Sequence, residues 1–161
     1  MNVNIKKLRD SATIPTKGSE YAAGYDLYAC SDEDIYTLNP HSVLKVPTGI
    51  AMAIPNGYFG AIFARSGIAT KRGLRPANCV GVIDSDYRGE IIVALHNDTD
   101  EPQKFQNGER VAQLVIMPYL PVDFTVVDEL DKTERGAGGF GSTGTASYST
   151  EISEYEQLSF F

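Results

Sequence analysis

An all-β fold, a barrel or a sandwich, is predicted for this 161-residue chain by three features of its sequence. Short runs rich in β-branched and aromatic residues follow one another at close spacing. Turn-forming residues punctuate them. Only one stretch, residues 67–72 after Ser66, suits a helix, and it is one or two turns long. A doubly wound α/β fold needs a helix between successive strands, so the shortage of helix argues against it. No internal repeat is evident.

Taken in order, the candidate strands are residues 3–8, 25–29, 42–46, 49–54, 58–64, 90–97, 110–117 and 122–127. The clearest turns are Asn39-Pro40, Pro55-Asn56-Gly57 and Gln106-Asn107-Gly108, where proline presets φ and glycine accepts conformations other residues avoid. A hydrophobic content of 42% at this length describes one globular domain, which buries roughly two-thirds of its unfolded surface and needs no covalent staple. Cys30 and Cys79 sit in apolar, strand-like surroundings without partners at metal-ligand spacing. They read as buried thiols of a reducing cytoplasm, with a single disulfide left open by sequence alone.

No apolar run approaches the ~20 residues of a membrane span, and the first seven residues lack the apolar core of a signal peptide. The expectation is a soluble, cytoplasmic protein with no membrane contact. A net charge of −7 argues against direct binding of nucleic acid, which relies on clustered lysine and arginine. An anionic ligand must therefore be held locally, by the cluster Arg65, Lys71, Arg72 and Arg75 or by the isolated Arg88, Arg110 and Arg135.

Composition changes after Asp128, first to a charged stretch and then to the glycine-rich residues 135–144. Residues 145–161 carry three acids and no base. The organisation read from this is a β-barrel domain over residues 1–128, a glycine-rich lid over 129–144 and a mobile tail over 145–161. Gly136-Ala137-Gly138-Gly139-Phe140-Gly141 fits G-x-G-x-x-G, but it follows a charged linker and opens no helix, so a dinucleotide site is excluded. The same stretch has Ser142 where a P-loop needs lysine. One arginine and one phenylalanine among glycines suit a lid that closes over something charged at one end and flat at the other.

The chemistry centres on residues 81–91, Gly-Val-Ile-Asp-Ser-Asp-Tyr-Arg-Gly-Glu-Ile. Ser85 and Asp86 have turn-forming side chains, and a β-turn brings its first and fourth residues within about 7 Å, which lets Asp84 and Tyr87 face one pocket. An acid beside an aromatic ring suits a small ring-bearing substrate. The plain alternative is a hairpin with a polar tip. Strand periodicity does not choose between Asp84 and Asp86, which stand two apart.

These residues, with four other short stretches, resemble the trimeric dUTPase family in order and spacing over residues 1 to about 144. The first motif is Ala23-Gly24-Tyr25-Asp26-Leu27-Tyr28-Ala29. The second is Gly57-Tyr58-Phe59-Gly60 leading into Ala64-Arg65-Ser66-Gly67. The third is residues 81–91, preceded by Asn78. The fourth is Gly108-Glu109-Arg110-Val111-Ala112-Gln113-Leu114, and the fifth is residues 135–144.

The resemblance implies a dUTPase-like β-barrel or jelly-roll with one short helix, and hydrolysis of dUTP to dUMP and pyrophosphate. It assigns Asp84 as the base that activates water, leaving Asp86 as turn structure. It places Tyr87 under the deoxyribose, where a 2′-hydroxyl has no room, and lets Asn78 and the backbone around Val82 and Ile83 read uracil. Arg65, Ser66, Gly67 and Gln113 become phosphate contacts. Asp26 would meet waters on a Mg²⁺ that the substrate phosphates chelate, with no direct protein ligand to the metal. Phe140 would stack on uracil, Arg135 would reach the γ-phosphate, and Gly141 and Ser142 would complete the cage. The family also implies a homotrimer with three shared sites. Arg110 and Glu109 read as a salt-bridged strand entrance.

Two rival functions stand beside this one. A dCTP deaminase shares the superfamily fold, but Gly67 after Arg65-Ser66 and the Phe-bearing lid fit dUTPases better. A catalytically idle binding protein is opposed by the intact Asp84, Tyr87, Arg65 and Phe140. Beyond the five motifs the chain ends in Gln157-Leu158-Ser159-Phe160-Phe161, which resembles the peptide with which bacterial replication proteins bind the polymerase sliding clamp, with Phe160 in place of the usual leucine. The plain alternative is a solvated tail whose apolar end arises by chance or docks on its own trimer.

Overall fold

The structure, a computed structural model, describes residues 1–31 and 35–139. Among these residues the strands are β1 (Asn4–Lys7), β2 (Thr16–Lys17), β3 (Tyr25–Tyr28), β4 (Ile35–Leu38), β5 (Val43–Pro47), β6 (Ile50–Ala53), β7 (Tyr58–Phe63), β8 (Leu74–Pro76), β9 (Gly81–Ile83), β10 (Ile92–Asn97), β11 (Gln103–Gln106) and β12 (Arg110–Pro118). The helix α1 (Ser66–Arg72) lies between β7 and β8. Every strand pairing is antiparallel. The ladders form four small sheets, of which the largest runs β2-β3-β12-β7-β9 and the next β5-β10-β8. No helix of the described residues is long and apolar enough to cross a membrane.

The all-β expectation holds because apolar side chains alternate along strands that bury one face. On β10 the inward positions are Val93, Leu95 and Asn97, each at most 1% exposed. They join Leu27, Leu38, Val46, Ile50 and Leu74 in one core. Asn97 is the polar exception, and its amide is fully used: Nδ2 donates to the carbonyls of Leu38 and Glu101, and Oδ1 accepts from the N–H and hydroxyl of Thr99. The turns at Asn56-Gly57 and Asn107-Gly108 put both glycines at φ 84, as their sequences require.

Four strands, β2, β4, β8 and β11, were not apparent in sequence, because runs of two to four residues are too short to display a period. The stretch 122–127, expected as a strand, is not one. No described segment pairs with it, and Val122, Phe124 and Val126 are exposed. Both cysteines are free. Cys30 is buried as expected, whereas Cys79 is exposed in a left-handed turn, with φ 62. Residues Met1–Val122 form one compact unit, and residues from Asp123 onward belong to a second.

The register of β12 slips between Arg110, which faces Tyr28, and Ala112, which faces Leu27. This bulge puts an extra residue on β12, so that Val111 and Ala112 both enter the core, at 2% and 0% exposure. Arg110 and Gln113, an odd number of residues apart, thereby come to the same side of the sheet. The helix begins after Arg65, which is extended at φ −81 and ψ 135, and ends on Gly73 in the left-handed region. Lys71 and Arg72 occupy its last turn, where positive charge is favoured.

Gly49 joins β5 to β6 at φ 69, and a β-carbon there would lie 2.8 Å from both Ala12 Cβ and Cys30 Sγ. Gly49→Ala therefore combines backbone strain with overpacking. It is expected to lower unfolding free energy by about 2–4 kcal/mol in urea denaturation.

Candidate active site

The site residues expected from sequence fall into two groups on the barrel. The first surrounds a cavity of about 430 Å³ lined by Asp26, Arg65, Ser66, Gly67, Arg110 and Gln113, among others. Pairing of β3, β12 and β7 sets its floor: Gln113 lies opposite Asp26 on one side and Phe63 on the other, which makes one row across three strands. Asp26 is only 8% exposed. Its Oδ1 accepts from Arg65 Nε at 2.6 Å and its Oδ2 from Arg110 Nη1 at 3.2 Å. A carboxylate so nearly buried needs such partners, and here one acid orients two guanidiniums toward the same space.

Gln113 Nε2 donates to the Ala64 carbonyl at 2.8 Å, while a β-carbon on Gly24 would meet Gln113 Oε1 at 2.5 Å. The amide is thus held between the end of β7 and the first motif. Ser66 and Gly67 are exposed at the start of α1, and a β-carbon on Gly67 would touch nothing within 4 Å. Packing inside the chain does not call for glycine at 67. Its absence of a side chain leaves the backbone open to a ligand.

Arg110 is the residue that sequence reasoning assigned too narrowly. It does form a salt bridge, but to Asp26 rather than Glu109, and it lines the cavity beside Gln113. Glu109 is structural, accepting from the Gln106 N–H and pairing with Arg72. The available signal was the run Arg-Val-Ala-Gln, whose two central apolar residues break the two-residue period and mark the bulge.

The second group surrounds a cleft of about 180 Å³ lined by Asn78, Gly81, Val82, Ile83 and parts of β7, β8 and β10. The strand β9 is the terminal member of its sheet, paired on one side with β7. Beyond β9 the chain turns at residues 84–87, with the Tyr87 N–H donating to the Asp84 carbonyl at 3.2 Å. This is the turn expected from Ser85-Asp86. Arg88 holds it by donating to the carbonyls of Ser85 and Tyr87. The carboxylate of Asp84 is exposed and makes no hydrogen bond or ion pair among the described residues, and the same is true of Asp86. Tyr87 is 44% exposed. The two cavities share no lining residue.

In the second unit Arg135 is exposed and donates from Nε to the Gly138 carbonyl, within a turn where the Gly136 N–H meets the Thr133 carbonyl. Phe140, Gly141 and Ser142 lie outside the described residues, as do Gln157, Leu158, Phe160 and Phe161.

A family model described as dUTPase matches residues 10–144. The deoxyuridine 5′-triphosphate nucleotidohydrolase of Desulfitobacterium hafniense is 49% identical over 134 residues, covering 83% of this chain and 88% of that protein. The protein of the same name from Paramecium bursaria Chlorella virus 1 is 46% identical over 140 residues, covering 87% and 96%. Among solved structures, a variant of the Staphylococcus bacteriophage 80alpha dUTPase with dUpNHpp superposes with a TM-score of 0.81 at 28% identity, covering 89% of this chain and 99% of that one.

Asp26 is the tie between β3, β12 and the residue that opens α1. Replacing it by alanine leaves Arg65 and Arg110 facing one another without a counter-charge. Asp26→Ala is expected to destabilise the fold by about 1–3 kcal/mol, less than a fully buried pair would lose because Arg110 is half exposed, as read from thermal or urea unfolding.

Proposed function

The chain belongs to the dUTPase family, and from that premise we propose that it hydrolyses dUTP to dUMP and pyrophosphate with Asp84 as the base. The observation that carries this reading is the division of the site by chemistry. Two guanidiniums, a hydroxyl and a carboxamide surround the larger cavity, which suits a triphosphate. The smaller cleft is bordered by Asn78 and an edge strand, which suits a flat base read through backbone groups. A carboxylate stands on the turn that follows that strand.

In this reaction the Asp84 carboxylate accepts a proton from a water as the water oxygen attacks the α-phosphorus in line. A new P–O bond forms, and the bond from that phosphorus to the bridging oxygen toward the β-phosphorus breaks. Pyrophosphate leaves with the electron pair of the broken bond. The exposed Asp84 then returns its proton to solvent. Arg65, Ser66 and Gln113 hold the phosphates and offset charge on their oxygens, with Arg110 adding a second cation to the same wall.

Uracil is read by the Asn78 amide and by the outer backbone edge at Val82 and Ile83, a pattern that refuses cytosine and leaves no space for a thymine methyl. Tyr87 lies under the deoxyribose and refuses a 2′-hydroxyl. The product supplies thymidylate synthesis, and removal of the substrate limits uracil in DNA. The site of action is the cytoplasm.

Magnesium enters with the substrate. Among the described residues no three His, Cys, Asp or Glu side chains are grouped to hold a metal, and Asp26 is already engaged by two guanidiniums. That donor set fits a hydrated Mg²⁺ chelated by the phosphates, with Asp26 accepting from one of its waters. When bound, the ion withdraws charge from the phosphate oxygens. Separation of the two cavities within one chain supports a homotrimer in which each site draws residues from neighbouring copies, with Arg135, Phe140, Gly141 and Ser142 as the lid.

Pyrophosphate release from dUTP in magnesium tests the assignment, and ammonia release from dCTP instead would overturn it. Asp84→Asn is expected to retain dUTP binding and to lose about 10²–10⁴-fold in kcat, while Asp86→Asn changes kcat by no more than about threefold. Interchanged effects would reverse the choice of base. Shared sites have a separate consequence: co-assembled Asp84→Asn and Arg65→Ala chains should turn over dUTP faster than either variant alone. A mixture no better than its parts, with co-assembly verified, would place each site within one chain.

A further inference from the structure

The ring of Tyr87 is not free, although it is 44% exposed. Its hydroxyl donates to the Glu90 carbonyl at 3.1 Å, and the phenol end of the ring lies close to Gly89. A β-carbon at position 89 would stand 2.4 Å from the Tyr87 hydroxyl oxygen, 2.6 Å from Cζ and 3.0 Å from Cε2. Those distances are well inside van der Waals contact, and a rigid ring relieves them only by moving as a whole. Gly89 is not among the glycines with positive φ. The backbone there does not demand glycine; the ring does.

The acceptor beneath the ring is itself fixed. The Glu90 carboxylate accepts from the Gly49 N–H at 2.7 Å and from Arg9, and the next residue, Ile91, donates its N–H to the Ile50 carbonyl at 2.9 Å. Thus the β5–β6 connection and the loop after β1 anchor Glu90, its carbonyl tethers the phenol, and Gly89 supplies the floor. Within the turn, Arg88 ties the Tyr87 carbonyl to the Ser85 carbonyl.

We propose that Gly89 is a positioning residue for sugar selectivity: by admitting the phenol end of Tyr87 close against the main chain, it fixes the surface that separates a deoxyribose from a ribose. This rests on the dUTP reading above, in which Tyr87 meets the sugar. A methyl group at position 89 displaces the ring and leaves Asp84, Arg65 and Gln113 in place. The sensitive quantity is therefore the preference for dUTP over UTP.

The test is steady-state kinetics on dUTP and UTP in magnesium for the full-length protein, Gly89→Ala, Tyr87→Ala and the double variant. Gly89→Ala is expected to lower the dUTP-to-UTP ratio of kcat/KM by about tenfold or more, the scale on which a displacement of about 1 Å is felt at a reacting site. In the Tyr87→Ala background, with no ring to displace, the same substitution should change that ratio by less than about twofold. A merely structural role for Gly89 would depress both substrates alike and would act equally in both backgrounds; either result overturns the proposal. If Gly89→Ala does not fold, Tyr87→Phe carries the test, because loss of the tether to Glu90 should lower the ratio roughly threefold, and an unchanged ratio overturns it. Wild-type protein inactive on dUTP would reject the underlying reading and this proposal with it, whereas an active wild type with an unchanged ratio in the variant rejects the proposal alone.

Discussion

The carboxylate of Asp26, nearly buried between the guanidiniums of Arg65 and Arg110, ties together the elements on which the polar cavity depends. It stands on β3, and its partners stand at the start of α1 and on β12. Without it two cations, one of them half exposed, would face each other with no counter-charge between them. With it, both guanidiniums keep donors that are not spent on Asp26. That arrangement favours the proposed triphosphate site, since cations fixed before a ligand arrives lose little freedom on binding.

The apolar frame gives this cluster its rigidity. Val93, Leu95, Leu27 and Leu114 belong to a single core that backs both the sheet bearing Asp26 and the sheet bearing β10. The cleft beside β9 is shaped differently, by a strand of three residues at the edge of its sheet and a turn held by Arg88. Two guanidiniums are gathered on a nearly buried acid, whereas the Asp84 carboxylate stands exposed on a turn. That division suits the proposed reaction, in which phosphate is clamped while a carboxylate takes a proton from water.

Much of this was legible in the sequence for identifiable reasons. Strand assignments followed from β-branched and aromatic runs of five or more residues bounded by turn residues, and the 84–87 turn followed from Ser85-Asp86. The short strand β8 was not legible, because three residues display no period and its conformation is fixed by pairing with β10. The stretch 122–127 reads as a strand on composition, but a strand is a pairing, and none of the described residues offers one. Cys79 was misplaced because apolar neighbours say nothing about a left-handed backbone, which turns its thiol outward.

Residue types and short spacings, then, carried the all-β class, the family resemblance and the set of candidate polar groups. Tertiary structure decided which of those groups meet. The bulge in β12 brings Arg110 beside Gln113 and Asp26, a contact between strands that no spacing along the chain encodes. Likewise, the fold of Tyr87 onto Gly89 and the Glu90 carbonyl depends on how Glu90 is held by Gly49 and Arg9, residues some forty and eighty positions away. Local chemistry is written in neighbouring letters, whereas the aim of a side chain depends on partners that only closure of the barrel brings within reach.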